Sequence, residues 1–378
     1  MSETPTIYDF CLAWNWEYDG DFVAILAEAC RKRNLSFLQA TPDKLEEIAR
    51  GLDENLLFVR VFLDRAAEAD PRYLILDAWA REHALYRIDP FEQASRTWDK
   101  ATMHAALIGA GLQTPHTIIL PSWQEQPSLE PADLTPLGEK FTIKPAHGSG
   151  GVGVILEATS WEQALAARRN NPADRYLLQA HVAPVVLGGK PAWFRVLFCC
   201  GAVFPCWWNT ATHAYIPVSP EEESAFNLQP LRRIAFELAR ICGLDSFSTE
   251  IALTPWGLFT VVDYINDQID LRLQSKALDG VPDAIVHDVA DRLADLAARK
   301  CAPPPPPVPV SHPPPPESAP LPQPTPPPAP EPPPAAPPLA PAPLPPAVMP
   351  ESVPPRVPSP PPPEPPSPES PPPVSIST

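Results

Sequence analysis

Residues 140–154 read KFTIKPAHGSGGVGV, and this stretch decides the fold. Before Gly148 the sequence alternates apolar and polar residues, as β-strands do, and after Gly153 it continues with further β-type sequence. Four glycines fall within six residues, where they let the backbone approach a ligand closely and line up N–H groups that bind an anion. We therefore predict a strand, a phosphate-binding loop and a second strand, with Lys144 adding positive charge beside the phosphates.

The glycine pattern fits other phosphate-binding motifs less well. Gly148, Gly150 and Gly153 spell the GxGxxG string of dinucleotide-binding folds, but that motif requires a helix after the loop. No GK[ST] closes the loop as in a P-loop, and the HRD and DFG strings of protein kinases do not occur. A plain hairpin turn with a surface lysine is the remaining alternative, but so many glycines would cost conformational entropy without a gain in packing.

The N-terminal sequence alternates strand and helix patterns. Short apolar β-type segments are separated by stretches whose apolar residues recur at helical spacing, which predicts an open α/β domain over residues 1–97. The predicted strands are 6–14, 36–41, 56–63 and 73–77, and the predicted helices are 22–33, 44–52 and 66–69.

The central sequence also predicts mixed α and β structure. Cys200 and Gly201 suit a tight hairpin turn, and Ser219 with Glu222 three residues later forms a capping box that begins a helix. The predicted strands are 114–120, 176–182, 193–199, 202–208, 248–253 and 258–266, and the predicted helices are 100–109, 161–169, 231–242 and 284–299.

The C-terminal sequence cannot form a packed core. From Ala302 onward, 40 of 77 residues are proline, which removes backbone donors and favours extended polyproline II conformations. We predict a disordered, Pro-rich tail over residues 301–378, which acts as a linker or docks an SH3 or WW domain through its PxxP strings.

The charge and cysteine content limit the partners of the folded part. Before the tail, 27 Lys and Arg face 40 Asp and Glu, and this acidic balance disfavours nucleic acid and anionic membranes. The N-terminus lacks a signal-peptide pattern and no apolar stretch is long enough to span a membrane, so we predict a cytoplasmic protein. The seven cysteines form no CxxC pair, which predicts free thiols.

Two acidic residues lie on neighbouring predicted strands. Glu250 and Asp263 are thirteen residues apart around a four-residue turn, which would bring both carboxylates to one place. Asn266 adds a neutral oxygen, and hard oxygen ligands are those that Mg²⁺ prefers. Each acidic residue alone would be a solvated strand end, but together they predict a site for Mg²⁺ or Mn²⁺.

Four segments, in this order and spacing, resemble the ATP-grasp superfamily over residues 97–275. Asp99-Lys100 followed by GLQTPHT resembles the opening segment of the family, and FTIKPAHGSGGVGV resembles its second lysine and glycine loop. YLLQAHV resembles the hinge strand, and STEIAL with VVDYIN resembles the metal-binding hairpin. The resemblance implies an ATP-grasp domain over 98–300, divided into a nucleotide-lid subdomain (98–185) and a metal-binding subdomain (186–300).

The resemblance also implies roles for individual residues. The two lysines and the glycine loop would contact the phosphates of ATP, and the hinge strand would hold the adenine through backbone groups. The implied catalytic residues are Arg195 and Lys144; the nucleotide contacts are Lys100, Lys144, Gly148, Ser149, Gly150, Gly151, Gly153, Gln179, Ala180 and Val182; and the metal ligands are Glu250, Asp263 and Asn266.

Two features leave alternatives open. Most superfamily members place the acid and the asparagine two residues apart, whereas Asp263 and Asn266 are three apart, so that either a bulge restores the geometry or Asp267 replaces Asn266. Arg272 could meet a substrate anion. The segment 207–215 lies where acceptor substrates enter in the family, although its tryptophans could equally serve packing.

The function that the resemblance implies is that of an ADP-forming ligase. Such an enzyme joins a carboxylate and an amine through an acylphosphate, with ATP and Mg²⁺ as the cofactors. A small-molecule kinase on the same fold and a non-catalytic ATP-binding scaffold with a partner-docking tail are the alternatives. The acceptor substrate, a small molecule or a peptide, is not specified by these motifs.

Overall fold

The computed structural model describes residues 4–148 and 150–302. Within these ranges, sheets of four, four and five strands and a two-stranded ribbon form the framework on which the helices pack. Ser149 and the predicted Pro-rich tail from residue 303 onward lie outside the described residues. The domain boundaries given above stay predictions.

The N-terminal layer is a parallel sheet covered by helices, as the sequence predicts. In chain order it contains β1 (Thr6–Trp14), α1 (Gly20–Lys32), β2 (Phe37–Ala40), α2 (Leu45–Asp53), β3 (Leu57–Arg65), α3 (Leu74–Glu82) and β4 (Tyr86–Ile88). The strand order is β2-β1-β3-β4, and each neighbouring pair is parallel. This arrangement confirms the open α/β prediction.

The predicted strand over 73–77 was wrong, because this segment begins helix α3. Tyr73, Leu76 and Ala80 are buried whereas Ile75 is 57% exposed, which is the spacing of a helical face and not of a strand. A short apolar run fits either structure when it is read alone. The fourth strand, β4, follows the helix and has only three residues.

The predicted helix over 66–69 was also wrong, since these residues form a turn. One oxygen of the Asp64 carboxylate accepts the backbone N–H groups of Ala66 at 2.9 Å and Ala67 at 3.0 Å. An acidic side chain that binds nearby backbone donors in this way offers the chain an alternative to a helix.

The middle layer carries the glycine loop. Its elements are α4 (Phe91–Thr97), α5 (Lys100–Gly109), β5 (Thr117–Leu120), β6 (Phe141–Pro145), β7 (Ile155–Ala158), α6 (Trp161–Asn170) and β8 (Tyr176–Ala180). The strands form an antiparallel sheet in the order β5-β8-β6-β7. Helix α6 buries Trp161, Ala164 and Ala167 against this sheet, and Ser160 begins it with a capping box.

The third layer is an antiparallel sheet with the order β13-β12-β11-β14-β15. Cys200 and Gly201 join its first hairpin with φ values of 49° and 84°, which are those of a tight two-residue turn. The remaining elements, in chain order, are β9 (Val186–Leu187) and β10 (Lys190–Pro191), which form the two-stranded ribbon, then β11 (Trp193–Cys199), β12 (Ala202–Trp208), β13 (Tyr215–Pro217), α7 (Pro220–Ala225), α8 (Gln229–Cys242), β14 (Ser246–Leu253), β15 (Phe259–Asn266) and α9 (Asp283–Cys301), which packs mainly against α1 and the N-terminal sheet.

The capping box of the third layer occurs as predicted, but it begins a separate short helix. Ser219 and Glu222 cap α7, and the amphipathic helix α8 starts at Gln229 with its own proline in the first turn. Gly243 ends α8 in the left-handed conformation, with φ of 71°.

Two predictions from composition can be compared with the described residues. All seven cysteines are free thiols, as predicted. Across the described part of the chain, none of the helices combines the length and the apolar character that crossing a membrane requires.

Glu222 is predicted to stabilise the fold in a pH-dependent way. Its carboxylate binds the Lys190 ammonium at 2.7 Å and accepts the Trp207 indole N–H at 3.0 Å, and these bonds lower the pKa of Glu222 from 4.5 to about 2. Because the pKa is depressed in the folded state, the stabilisation is present above pH 4.5 and is lost as the pH falls from 4.5 towards 2.

We expect Glu222→Gln to lower the free energy of unfolding by about 1–2 kcal/mol at pH 7, a modest value because the Glu222 and Lys190 side chains are both partly exposed. Urea unfolding measured in steps from pH 7 to pH 3 should show this difference shrinking below pH 4.5. Glu221→Gln is the matched control, since Glu221 is exposed and forms no ion pair among the described residues. A difference that is constant with pH would contradict the prediction.

Candidate active site

A cleft of about 820 Å³ lies between the middle sheet and the third sheet. It collects residues from α5, β6, the glycine loop, β8, β14 and β15. The predicted site residues that line it are Lys100, Lys144, Gly148, Gly150, Gly151, Gln179, Ala180, Val182, Glu250, Asp263 and Asn266. Gly153 and Arg195 are not part of this lining, and Ser149 lies outside the described residues.

The glycine loop connects two antiparallel strands and not a strand and a helix, so the dinucleotide-binding alternative is excluded. Gly150, Gly151 and Gly153 have backbone φ values of 60°, 74° and 75°, a region that residues other than glycine rarely adopt. At Gly153, a side-chain carbon would also lie 3.4 Å from the ring of Pro145. The glycines are therefore needed for this backbone path, which borders the cleft.

Lys100 is held against the glycine loop by the start of helix α5. The Asp99 side chain caps this helix by accepting the backbone N–H groups of its first turn, and it also forms an ion pair with Arg175. The backbone N–H of Lys100 donates to the carbonyl of Ala146 at 2.9 Å, and its ammonium donates to the carbonyl of Gly148. The lysine side chain is thus directed to the loop.

Lys144 extends from β6 towards strand β15. Its ammonium donates to the backbone carbonyl of Val262 at 3.3 Å. Burial lowers the pKa of Lys144, and the carboxylates of Asp263 and Glu250 counteract this effect by favouring the charged form. The lysine therefore brings a positive charge into the space between the two sheets.

The two acidic residues lie directly opposite each other on β14 and β15. Ser248 pairs with Asn266 and Glu250 pairs with Asp263, so that two steps along β14 correspond to three steps along β15. The extra residue is a β-bulge, and it places the Asn266 amide nitrogen 2.9 Å from the Asp263 carboxylate. The spacing that differs from the family pattern is thus accommodated by a bulge, the first of the two alternatives.

Asp267 has a different environment from Asp263 and Asn266. Its carboxylate accepts the indole N–H of Trp98 at 2.7 Å, and it does not line the cleft. Burial raises the pKa of Asp267 to about 6. The second alternative, in which Asp267 replaces Asn266, is therefore not supported by its position.

Arg195 sits behind the acidic pair and is linked to it. It lies opposite Glu250 in the β11–β14 register, and the two side chains form an ion pair at 2.7 Å. Its guanidinium also donates to the Ser248 hydroxyl at 3.2 Å and packs over the ring of Trp208. Burial alone would raise the pKa of Asp263, but the charges of Lys144 and Arg195 outweigh it and lower that pKa.

The oxygen donors at this place suit a hard divalent cation. The described residues contain no cluster of three or more His, Cys, Asp and Glu side chains that could hold a metal, so a site here would use two carboxylates and one amide oxygen. Mg²⁺ usually binds proteins through one or two carboxylates and completes its shell with water and phosphate oxygens. Glu250, Asp263 and Asn266 fit that requirement.

Several cleft residues were missed by the sequence analysis. Trp193 donates its indole N–H to the second oxygen of Glu250 at 3.1 Å, and Glu157, His181 and Thr210 also line the cleft. Trp193 lies two residues before Arg195 on β11, on the same face of the strand. The two-residue spacing to Arg195 could have predicted that Trp193 lies beside the site. Glu157, His181 and Thr210 reach the cleft through contacts between distant segments, which the sequence does not reveal.

Of the two predicted substrate contacts, Arg272 is not brought into the cleft, whereas the 207–215 segment borders it at Thr210. Arg272 is bound by the carboxylates of Asp270 at 2.6 Å and Asp279 at 2.9 Å, and it is absent from the lining. Trp207 is buried against Phe194, which favours the packing interpretation of the 207–215 segment. Thr210, in the same segment, does border the cleft.

Comparisons of sequence identify no relative. No model of a known protein family matches the chain, and no curated protein matches it.

Comparison with solved structures finds clear similarity over most of the chain. A RimK domain ATP-grasp protein from Sphaerobacter thermophilus is 18% identical, with 76% of this chain and 99% of that chain covered and a TM-score of 0.52. D-alanine–D-alanine ligase from Bacillus anthracis, complexed with ATP, is 11% identical, with coverages of 77% and 97% and a TM-score of 0.52. The macrocyclase MdnC from Microcystis aeruginosa, bound with its precursor peptide MdnA, is 10% identical, with coverages of 77% and 99% and a TM-score of 0.52.

These similarities concern architecture, since the sequences have diverged far. They extend over nearly the whole length of each solved chain. The chain has the ATP-grasp fold.

Proposed function

We propose that this protein is an ATP-dependent ligase that binds ATP in the cleft between the middle and third sheets. The observation that carries the proposal is the convergence of Lys100, Lys144 and the glycine loop on the same cleft as Glu250 and Asp263. Positive side chains and backbone N–H groups suit phosphates, and the facing carboxylates suit the metal ion that accompanies them. Ligases with this fold include one solved with ATP bound.

The residues of the cleft act mainly by positioning and by neutralising charge. The two lysines and the glycine loop would hold the phosphate chain, and the backbone of the hinge at Gln179, Ala180 and Val182 would hold the base. Mg²⁺, when bound by Glu250, Asp263 and Asn266, would neutralise charge on the phosphates. Arg195, through its ion pair with Glu250, would bring a further positive charge close to the transferred group.

The reaction we propose joins a carboxylate to an amine. The carboxylate oxygen attacks the γ-phosphorus and ADP leaves, which gives an acylphosphate. The amine nitrogen then attacks the acyl carbon, and inorganic phosphate leaves as the amide forms. A D-alanine–D-alanine ligase and a macrocyclase bound with a precursor peptide share this fold, which supports a small amino acid or a peptide as acceptor.

The proposal is tested first by binding and then by turnover. Calorimetric titration of the full chain with a non-hydrolysable ATP analogue and Mg²⁺ should show saturable binding. ADP release is then measured against panels of amino acids, peptides and hydroxylated metabolites. A ligase releases inorganic phosphate only when both acceptors are present, whereas a kinase leaves the phosphate on its product. If the protein bound nucleotide but no compound in the panels stimulated ADP release, the ligase proposal would be contradicted and the ATP-binding scaffold favoured.

A further inference from the structure

The side chain of Gln179 is buried beneath the hinge at the floor of the cleft. Only 2% of this residue is exposed, yet it contributes to the cleft lining. Its amide nitrogen is 3.3 Å from the hydroxyl oxygen of Thr117 and 3.1 Å from that of Tyr264. These two contacts join three elements, β5, β8 and β15, at one point.

The directions of these hydrogen bonds follow from the donors available. The hydroxyl of Thr117 donates its proton to the carbonyl of Pro115 at 2.8 Å, so towards Gln179 it can only accept. The atom of Gln179 that faces Thr117 must therefore be the amide nitrogen. Both N–H bonds of that nitrogen are then engaged, one by Thr117 and one by Tyr264.

His104 completes the chain of hydrogen bonds. The Tyr264 hydroxyl accepts from Gln179 and lies 2.6 Å from the Nδ1 atom of His104. His104 is buried, and burial together with the charge of Lys144 lowers its pKa, which favours the neutral imidazole. In the tautomer with its proton on Nε2, Nδ1 accepts the Tyr264 proton, and the chain then runs in one direction, from Gln179 to Tyr264 to His104.

The consequence is that Gln179 offers the cleft an acceptor and no donor. Its carbonyl oxygen has no hydrogen-bond partner among the described residues. An adenine base carries an exocyclic amino group that donates to such an oxygen, whereas guanine carries a carbonyl at the same position, which would face it as a second acceptor.

We propose that Thr117, Tyr264 and His104 are positioning residues that fix the orientation of the Gln179 carboxamide and thereby select 6-aminopurine over 6-oxopurine nucleotides. The inference rests on the proposed nucleotide binding, and it adds the side chain of Gln179 to the backbone contacts expected of the hinge. Without this chain of hydrogen bonds, the carboxamide can turn over and present its N–H group to a 6-oxo base instead.

The test compares dissociation constants for the non-hydrolysable analogues of ATP and GTP, with Mg²⁺, in the full-length protein. The wild type should prefer the ATP analogue by at least about tenfold, because a mispaired buried polar group typically costs that much. Thr117→Val, which keeps the shape and removes the group that can only accept, should reduce this preference to near unity by improving GTP-analogue binding as it weakens ATP-analogue binding. Tyr264→Phe should act in the same direction with a smaller effect, because Thr117 still faces the amide nitrogen, and it serves if the first variant does not fold.

A rescue experiment separates orientation from simple structural support. In a Gln179→Glu background both outer atoms are oxygens, so rotation of the group changes nothing, and adding Thr117→Val should leave the nucleotide preference intact. If the three residues had a purely structural role, the variants would weaken the binding of both analogues by the same factor in both backgrounds. That result would overturn this inference but not the proposed function. Wild-type protein that binds neither analogue would instead overturn the proposed function itself.

Discussion

Asp263→Asn should lower Mg²⁺-dependent ADP release by about 10²–10³-fold, the loss found when a single group that stabilises developing charge is removed. Asp263 faces Glu250 across the strand pair, and the charges of Lys144 and Arg195 lower its pKa. The asparagine keeps the size of the side chain and removes the charge that the metal ion requires. ADP release measured over a series of Mg²⁺ concentrations gives the size of the effect.

Two neighbouring acids provide matched controls for this variant. Asp267 is four residues further along the chain but binds Trp98 outside the cleft, and Glu157 lines the cleft but pairs with Lys140 at the surface. Asp267→Asn and Glu157→Gln should therefore keep the Mg²⁺ dependence of the wild type. If Asp267→Asn lost activity and Asp263→Asn did not, the assignment of the metal ligands would be reversed.

Arg168→Leu should lower the free energy of unfolding by about 3–5 kcal/mol, although it lies far from the acidic hairpin. Arg168 is fully buried and binds three backbone carbonyls, those of Pro121 at 2.8 Å, Ser122 at 2.9 Å and Gln126 at 2.7 Å. Leucine fills much of the space but removes the arginine donors from all three carbonyls, which are buried or part-buried, and only that of Ser122 keeps another donor among the described residues, the Gln126 N–H. Urea unfolding followed by tryptophan fluorescence measures the loss.

The adjacent arginine is the control for this change. Arg169 is exposed and is not part of the core, and its guanidinium lies 4.9 Å from the ring centre of Trp123. Arg169→Leu should cost about 0.5–1 kcal/mol, the usual value of an exposed cation–π contact. Equal losses for the two variants would show that the hydrogen bonds from Arg168 do not stabilise the 121–126 segment.

Local patterns in the sequence predicted much of the fold because they report on short-range geometry. The hairpin around Cys200 and Gly201 follows from two apolar runs joined by a residue pair suited to positive φ. The strand predicted at 73–77 failed because five residues are too few to reveal a helical period. What decided that segment was burial of Tyr73, Leu76 and Ala80, which only the packed fold provides.

The candidate site was predictable to the extent that its residues lie on recognisable motifs. The choice between Asn266 and Asp267 could not be made from spacing, because it depends on a bulge opposite Ser248 and on the indole of Trp98 from a distant helix end. The same limit applies to Arg272. Its two acidic partners neutralise it, and one of them, Asp279, comes from a loop that has no regular pattern.

The ion pair between Arg195 and Glu250 has a consequence for the order in which the site is assembled. The positive side chains around the acidic pair outnumber its carboxylates, with Lys100, Lys144 and Arg195 facing Glu250 and Asp263. A free divalent cation would therefore enter a slightly positive environment, and it would compete with Arg195 for the Glu250 carboxylate. The magnesium–ATP complex is an anion overall and meets no such repulsion. The metal should therefore arrive with its nucleotide, and chelators should leave the empty protein folded.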